Sequence, residues 1–129
     1  MKRDMDLVRL ILLKVEDEYV STPIFNLCIE GYDLETIAYH CKIMYEAGLL
    51  SSFSVQYGDN KVWGLRVGAL TWSGNDYLEK IRNDSIWEKT KNEIVSKGLP
   101  MVLETIKTIS TSIITAITEG AVNSIIKNN

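Results

Sequence analysis

Few residue types in this chain could carry chemistry. His40 is the only histidine among 129 residues, and Cys28 and Cys41 are the only thiols. An imidazole beside a sulfhydryl is the pairing that generates a thiolate nucleophile, with the ring taking the proton. Here the pairing has one possible base and no evident third group to orient it. Cys41 falls on an apolar helical stripe, where a cysteine acts as a small hydrophobe. Asp4, Asp6, Glu16, Asp17 and Glu18 supply carboxylates for a hard cation, but on a helix they spread around the axis and form a solvated, charge-paired face. Gly64, Gly68 and Gly74 make no phosphate-binding loop, because no glycine-rich turn runs from a strand into a helix with Lys and Ser or Thr following. The residues therefore specify no catalysis, no metal and no cofactor.

The elements that must position these residues follow from periodicity. Val8, Ile11, Leu12, Val15 and Tyr19 recur at three- and four-residue steps and predict a helix from about Asp4 to Glu18, with Arg9, Lys14, Glu16 and Asp17 on its wet side. After Ser21, Thr22 and Pro23, the apolar run Ile24 to Ile29 predicts a short strand ending at Gly31. Asp33 is placed to cap a second helix that closes at Gly48, with Leu34, Ile37, Ala38, Cys41, Met44 and Tyr45 as its core stripe. Phe53, Val55 and Tyr57, then Gly58, Asp59 and Asn60, then Trp63, Leu65 and Val67 spell a hairpin. Thr71 caps a helix carrying Trp72, Tyr77, Leu78 and Ile81 to Arg82, and Asn83 and Asp84 cap a continuation bearing Trp87 and Ile94 to Gly98. Pro100 fits the first turn of a last helix, striped on one side by Val102, Ile106, Ile109, Ile113, Ile117 and Ala121 and on another by Thr108, Thr111, Thr115 and Thr118.

This length holds one core and an appendage, not two independent domains. A net charge of -3 repels phosphate backbones weakly, so nucleic-acid binding requires a local basic patch. Two thiols outside any CxxC spacing read as reduced, buried and cytosolic; a disulfide between them is the alternative. The uncharged run Thr108 to Thr118 is shorter than the roughly 20 apolar residues of a membrane span, and the expectation is a soluble cytoplasmic protein.

Three separated motifs occur in a recognisable order: Met1 to Val8, then Ile37-Ala38-Tyr39-His40 leading to Glu46-Ala47-Gly48-Leu49, then Leu70-Thr71-Trp72-Ser73-Gly74 running to Ile81-Arg82-Asn83-Asp84. Over roughly residues 1 to 90 the chain resembles a family of small bacterial and phage proteins catalogued only as a domain of unknown function. The resemblance implies a winged-helix-like fold and a phage or mobile-element context, and implies no activity. The expected architecture is α+β: a winged-helix-like domain over residues 1–83, then a helical arm over 84–129.

On this reading the protein is a non-catalytic regulatory or adaptor protein that binds an unidentified protein partner and forms a homo-oligomer through the arm. An exposed helix ordinarily carries charges on its outer face, yet none occurs from Thr108 to Thr118, and burial on both sides explains that composition. The alternative there is a solvent-facing Thr stripe on a helix that covers only its own core. The expected oligomer interface is Val102, Ile106, Ile109, Ile113, Ile117 and Ala121. The expected partner surface is Tyr39, His40, Lys42, Lys61 and Arg66. The rival function is a DNA-binding transcriptional regulator, with the second helix as reader and the hairpin as wing; Glu35, Glu46 and Asp59 beside so few cations argue against it. A membrane-surface arm lacks the cationic flank, with only Lys107 and Lys127 present. Two of the three tryptophans are expected in the core, with Trp63 the exposed one.

Overall fold

The computed structural model describes residues 1–127. Among these residues, five helices and one small sheet form an α+β fold. The helices are α1 (Met5–Glu18), α2 (Leu34–Glu46), α3 (Trp72–Ile81), α4 (Asp84–Ser96) and α5 (Leu103–Lys127); the strands are β1 (Ile24–Phe25), β2 (Phe53–Gly58) and β3 (Lys61–Val67). The chain divides into two compact units, one from Met1 to Leu78 and one from Glu79 onward.

In the first unit the sheet is antiparallel, in the order β1-β3-β2. Asp59 and Asn60 both adopt left-handed backbone, φ 51° and 63°, as a two-residue hairpin turn between right-twisted strands requires. Opposite Gln56 and Tyr57 the register slips by one residue, so Trp63 is the extra residue of a bulge in β3. Leu65 and Val67 are buried, while Arg66 between them is exposed. β1 is only two residues long because Asn26, at φ 51°, ends it: its backbone N–H donates to the Leu65 carbonyl, and its side-chain oxygen accepts from the Leu65 N–H at 2.9 Å. One side chain thus completes the ladder that a further strand residue would have supplied.

α1 and α2 each begin on an aspartate. The Asp4 carboxylate accepts from the amides of Asp6 and Leu7, and the Asp33 carboxylate from that of Thr36, which satisfies donors that a helix start leaves open. Leu7, Val8, Ile11, Leu12 and Val15 of α1 meet Ile37, Ala38, Cys41 and Met44 of α2 in the core. Arg9, expected on the wet side, is buried, and its aliphatic stem allows a residue next to the stripe to lie along apolar surface. Tyr45, expected in the core, is exposed, because it stands on the last turn of α2 just before Gly48 turns the chain (φ 78°).

The loop after α2 is fixed by α3. Thr71 donates its hydroxyl hydrogen to the Gly48 carbonyl and accepts from the Gly74 N–H, capping α3. Gly74 then lies against Leu49: a Cβ there would stand 2.2 Å from the Leu49 carbonyl oxygen.

In the second unit α4, capped by Asn83 on the Ile86 amide, ends before Gly98 (φ 65°). Pro100 precedes α5 instead of lying in its first turn, and the helix starts at Leu103. α5 packs against α4 over its first half, where Ile106 and Ser110 are buried. From Thr115 to Lys127 every residue of α5 is exposed.

Candidate interaction surfaces

The structure takes His40 out of the surface on which the sequence reading places it. Its ring is fully buried at the joint between α1 and α2. Nε2 accepts the Asp4 backbone N–H at 2.8 Å, and the Thr36 carbonyl lies 2.8 Å from Nδ1. An amide can only donate, so Nε2 is the unprotonated nitrogen and Nδ1 carries the hydrogen that Thr36 accepts. Tyr32 donates its phenol to the other Asp4 oxygen at 3.3 Å. Burial, followed by the neighbouring Asp4 charge, raises the affinity of that phenol for its proton. His40 is a pin between two helices, placed there because it sits one turn after Thr36 on the inner edge of α2.

The rest of that set does not converge. Tyr39 is half-buried, its ring edge-to-face with His40 at 5.4 Å, and Lys42 is exposed on the outer side of α2. Lys61 is exposed at the hairpin. Beside it the Glu35 carboxylate accepts the Val62 N–H at 2.6 Å, which brings an acidic group to the start of β3. Arg66 is exposed, with its guanidinium 5.8 Å from the Phe25 ring centroid across the β1–β3 pair.

What the structure does bring together is a small group of residues on the open side of the sheet. Phe25, Gln56, Gly64 and Arg66 line a shallow hollow there. Trp63 precedes Gly64 at the bulge and is 69 % exposed; Tyr57 alternates with Gln56 and so belongs to the other side of the sheet, where it is 68 % exposed. Period-two alternation would have put Tyr57 with Phe53 and Val55, both half-buried, but β2 runs out past the core before it reaches Tyr57. Trp72 is also exposed, so among the tryptophans only Trp87 is buried, and the expectation of two in the core is corrected. The aromatic and Gly-bearing strand pattern was visible in the sequence; the bulge at Trp63 was not.

Cys28 is exposed and Cys41 buried, both free, so the expectation of two buried thiols holds for one. Burial pushes the Cys41 thiol up to about 12, the opposite of an activated nucleophile. Among the described residues no cluster of three or more His, Cys, Asp or Glu is arranged to hold a metal.

The predicted oligomer stripe splits along α5. Ile106 is fully buried inside the second unit, so it is a core residue and not an interface residue. Val102, Ile109 and Ile113 are half-buried, and Ile109 and Ile113 line a groove with Lys89, Asn92 and Glu93 of α4. Ile117 and Ala121 are exposed, and Val122, Ile125 and Ile126 join them as exposed apolar residues. α5 is long and apolar enough to cross a membrane by length and composition, with mean hydropathy 1.3 over its best 18-residue window, of which 6 % is buried.

The chain is 38 % identical over 115 residues to an uncharacterized protein of Haemophilus influenzae, covering 88 % of this chain and 96 % of that one. No solved structure matches it. Residues 2–100, from before α1 through Pro100, match the family described as a hypothetical protein, DUF2513, and the chain belongs to that family.

Proposed function

We propose that this is a non-catalytic regulatory or adaptor protein that self-associates through the C-terminal half of α5, in the phage or mobile-element setting that the family resemblance implies. One observation carries the reading: Ile117, Val122, Ile125 and Ile126 stand 49, 48, 62 and 66 % exposed on one continuous helix. Contiguous apolar surface of this kind is covered in a working protein.

A second copy of the same helix is the occupant this stripe favours. Ala121 and Ile125 are equidistant in sequence from Asn123 and lie one turn apart on one side of the helix. An antiparallel pair of arms packed on that side sets each Ala121 opposite the partner's Ile125, small against large, and leaves Glu119 and Lys127 on the outer side. Insertion in a bilayer fits less well. The first half of α5 is engaged with α4, and the 13 residues from Thr115 to Lys127 span only about 20 Å at 1.5 Å per residue, against a hydrocarbon core of about 30 Å.

The body is winged-helix-like in this reading. A helix, a short strand, a helix and a hairpin, with the first strand beside the last, support it; a single helix between β1 and β2 is the departure. A duplex reader is the weaker alternative, since burial removes His40 from the reading surface while Glu35 and Asp59 remain near Lys61.

The test is solution mass by light scattering. Ile125→Asp is expected to reduce the oligomer to monomer with an unchanged circular dichroism spectrum. Lys127→Glu, on the outer side of the pair, is expected to leave the mass unchanged. A parent chain that is already monomeric at all concentrations overturns the proposal.

A further inference from the structure

β2 is an outer strand, with β3 its only neighbour in the sheet. Which of its backbone groups are free follows from the ladder. The Gly68 N–H donates to the Ser52 carbonyl, while Leu65 turns its N–H and C=O toward Asn26 on the β1 side. Gly64 and Arg66 must therefore turn theirs toward β2, meeting Gln56 and Ser54, with which they are in register. The N–H and C=O of Phe53, Val55 and Tyr57 then point outward, away from β3. Their side chains are half-buried or exposed.

Outer strands are ordinarily guarded by a lysine, a proline or another inward charge. From Phe53 to Gly58 the sequence is Phe-Ser-Val-Gln-Tyr-Gly, without a charge or a proline. The bulge lies in β3, on the strand's inner side, and leaves the outer row of β2 intact.

The geometry points to β2 as a second self-association surface, on which β2 of another copy of this chain pairs antiparallel about a two-fold axis through Val55. In that register Val55 faces Val55 of the second copy and Phe53 faces Tyr57, so the three outward pairs exchange backbone hydrogen bonds in both directions. Ser54 falls opposite Gln56 on the open face, two neutral polar side chains with hydrogen-bonding capacity. No like charges meet anywhere along the strand, which is what makes the second copy the fitting occupant. Phe53 and Tyr57 gain an apolar neighbour from across the axis. This surface lies in the first unit and is independent of the α5 arm.

Amide hydrogen exchange on the full chain reads the pairing residue by residue. Ile125→Asp is the background, so that the arm does not hold copies together. Ser54 and Gln56 amides, bonded to β3, are expected to exchange slowly at every concentration. Those of Phe53, Val55 and Tyr57 are expected to exchange rapidly at roughly 10 µM and about tenfold more slowly at roughly 1 mM. Ser54→Lys with Gln56→Lys, both at exposed positions, sets lysine opposite lysine across the axis and is expected to abolish the slowing while Leu65 and Val67 stay protected. Ser54→Lys with Gln56→Glu sets opposite charges there and is expected to keep it. Rapid, concentration-independent exchange at the three outward amides overturns the inference, as does slowing that survives the double lysine change. Failure of the arm proposal registers separately, as an Ile125→Asp chain with the mass of the parent.

Discussion

Replacing His40 by leucine tests the internal pin directly. The change keeps a buried side chain of comparable bulk, so little of its effect comes from a cavity. It removes the acceptor for the Asp4 N–H, now bonded at 2.8 Å in a partly buried site, and the donor to the Thr36 carbonyl. Leaving a buried amide unpaired costs about 1–3 kcal/mol. The Thr36 carbonyl faces the amide one helical turn on and keeps that bond, so its loss adds about 0.5 kcal/mol at most. The expected destabilisation is about 2–3 kcal/mol, against less than about 0.5 kcal/mol for Lys42→Ala on the exposed side of the same helix. Urea unfolding by circular dichroism gives the values, and exchange at the Asp6 and Leu7 amides reports whether α1 is the element that loosens. His40→Gln, whose amide oxygen reaches toward the same N–H, is expected to recover part of the loss. A His40→Leu chain as stable as Lys42→Ala would refute the assignment of His40 as an interior hydrogen-bonding residue and return it to the surface.

Other expectations follow from the same geometry. Gly74→Ala drives a methyl group into the Leu49 carbonyl and should lower stability by more than about 2 kcal/mol in the same unfolding assay, although alanine is the better helix former. Asn26→Ala leaves the Leu65 N–H unpaired and forces alanine into left-handed backbone, for about 2–3 kcal/mol. The Cys41 thiol, raised from 9.0 to about 12, stays protonated in the folded state at pH values where it would ionise in the unfolded chain. Its contribution is therefore intact below pH 9 and is lost as pH rises toward 12, with a slope approaching about 1.4 kcal/mol per pH unit that Cys41→Val removes. At pH 8 iodoacetamide should label Cys28 and spare Cys41, as mass spectrometry of the peptides will show.

Much of the fold could be read from residue order. Asp33, Thr71 and Asn83 act as caps because each stands one residue before an apolar stripe with helical period, and Asp59-Asn60 makes the hairpin turn because those residues tolerate left-handed backbone. The misreadings arise where a neighbour distant in sequence decides. His40 lies next to the core stripe of α2, and only the arrival of the Asp4 amide, 36 residues away, makes burying an imidazole favourable. The exposure of Trp63 was legible, but the one-residue slip in pairing beside it was not, since no alternation pattern contains it. The α5 stripe reads as uniform from Val102 to Ala121, yet α4 is 13 residues long and covers only its beginning.

The opposite margin of the sheet bears on how far assembly can proceed. Beyond β3 the chain offers two residues of strand, preceded by Pro23, which has no N–H to give, and closed by Asn26 folded back on Leu65. One border is finished within the molecule and only one accepts company. A sheet joined through β2 therefore stops at six strands, because neither copy has a second open border to offer.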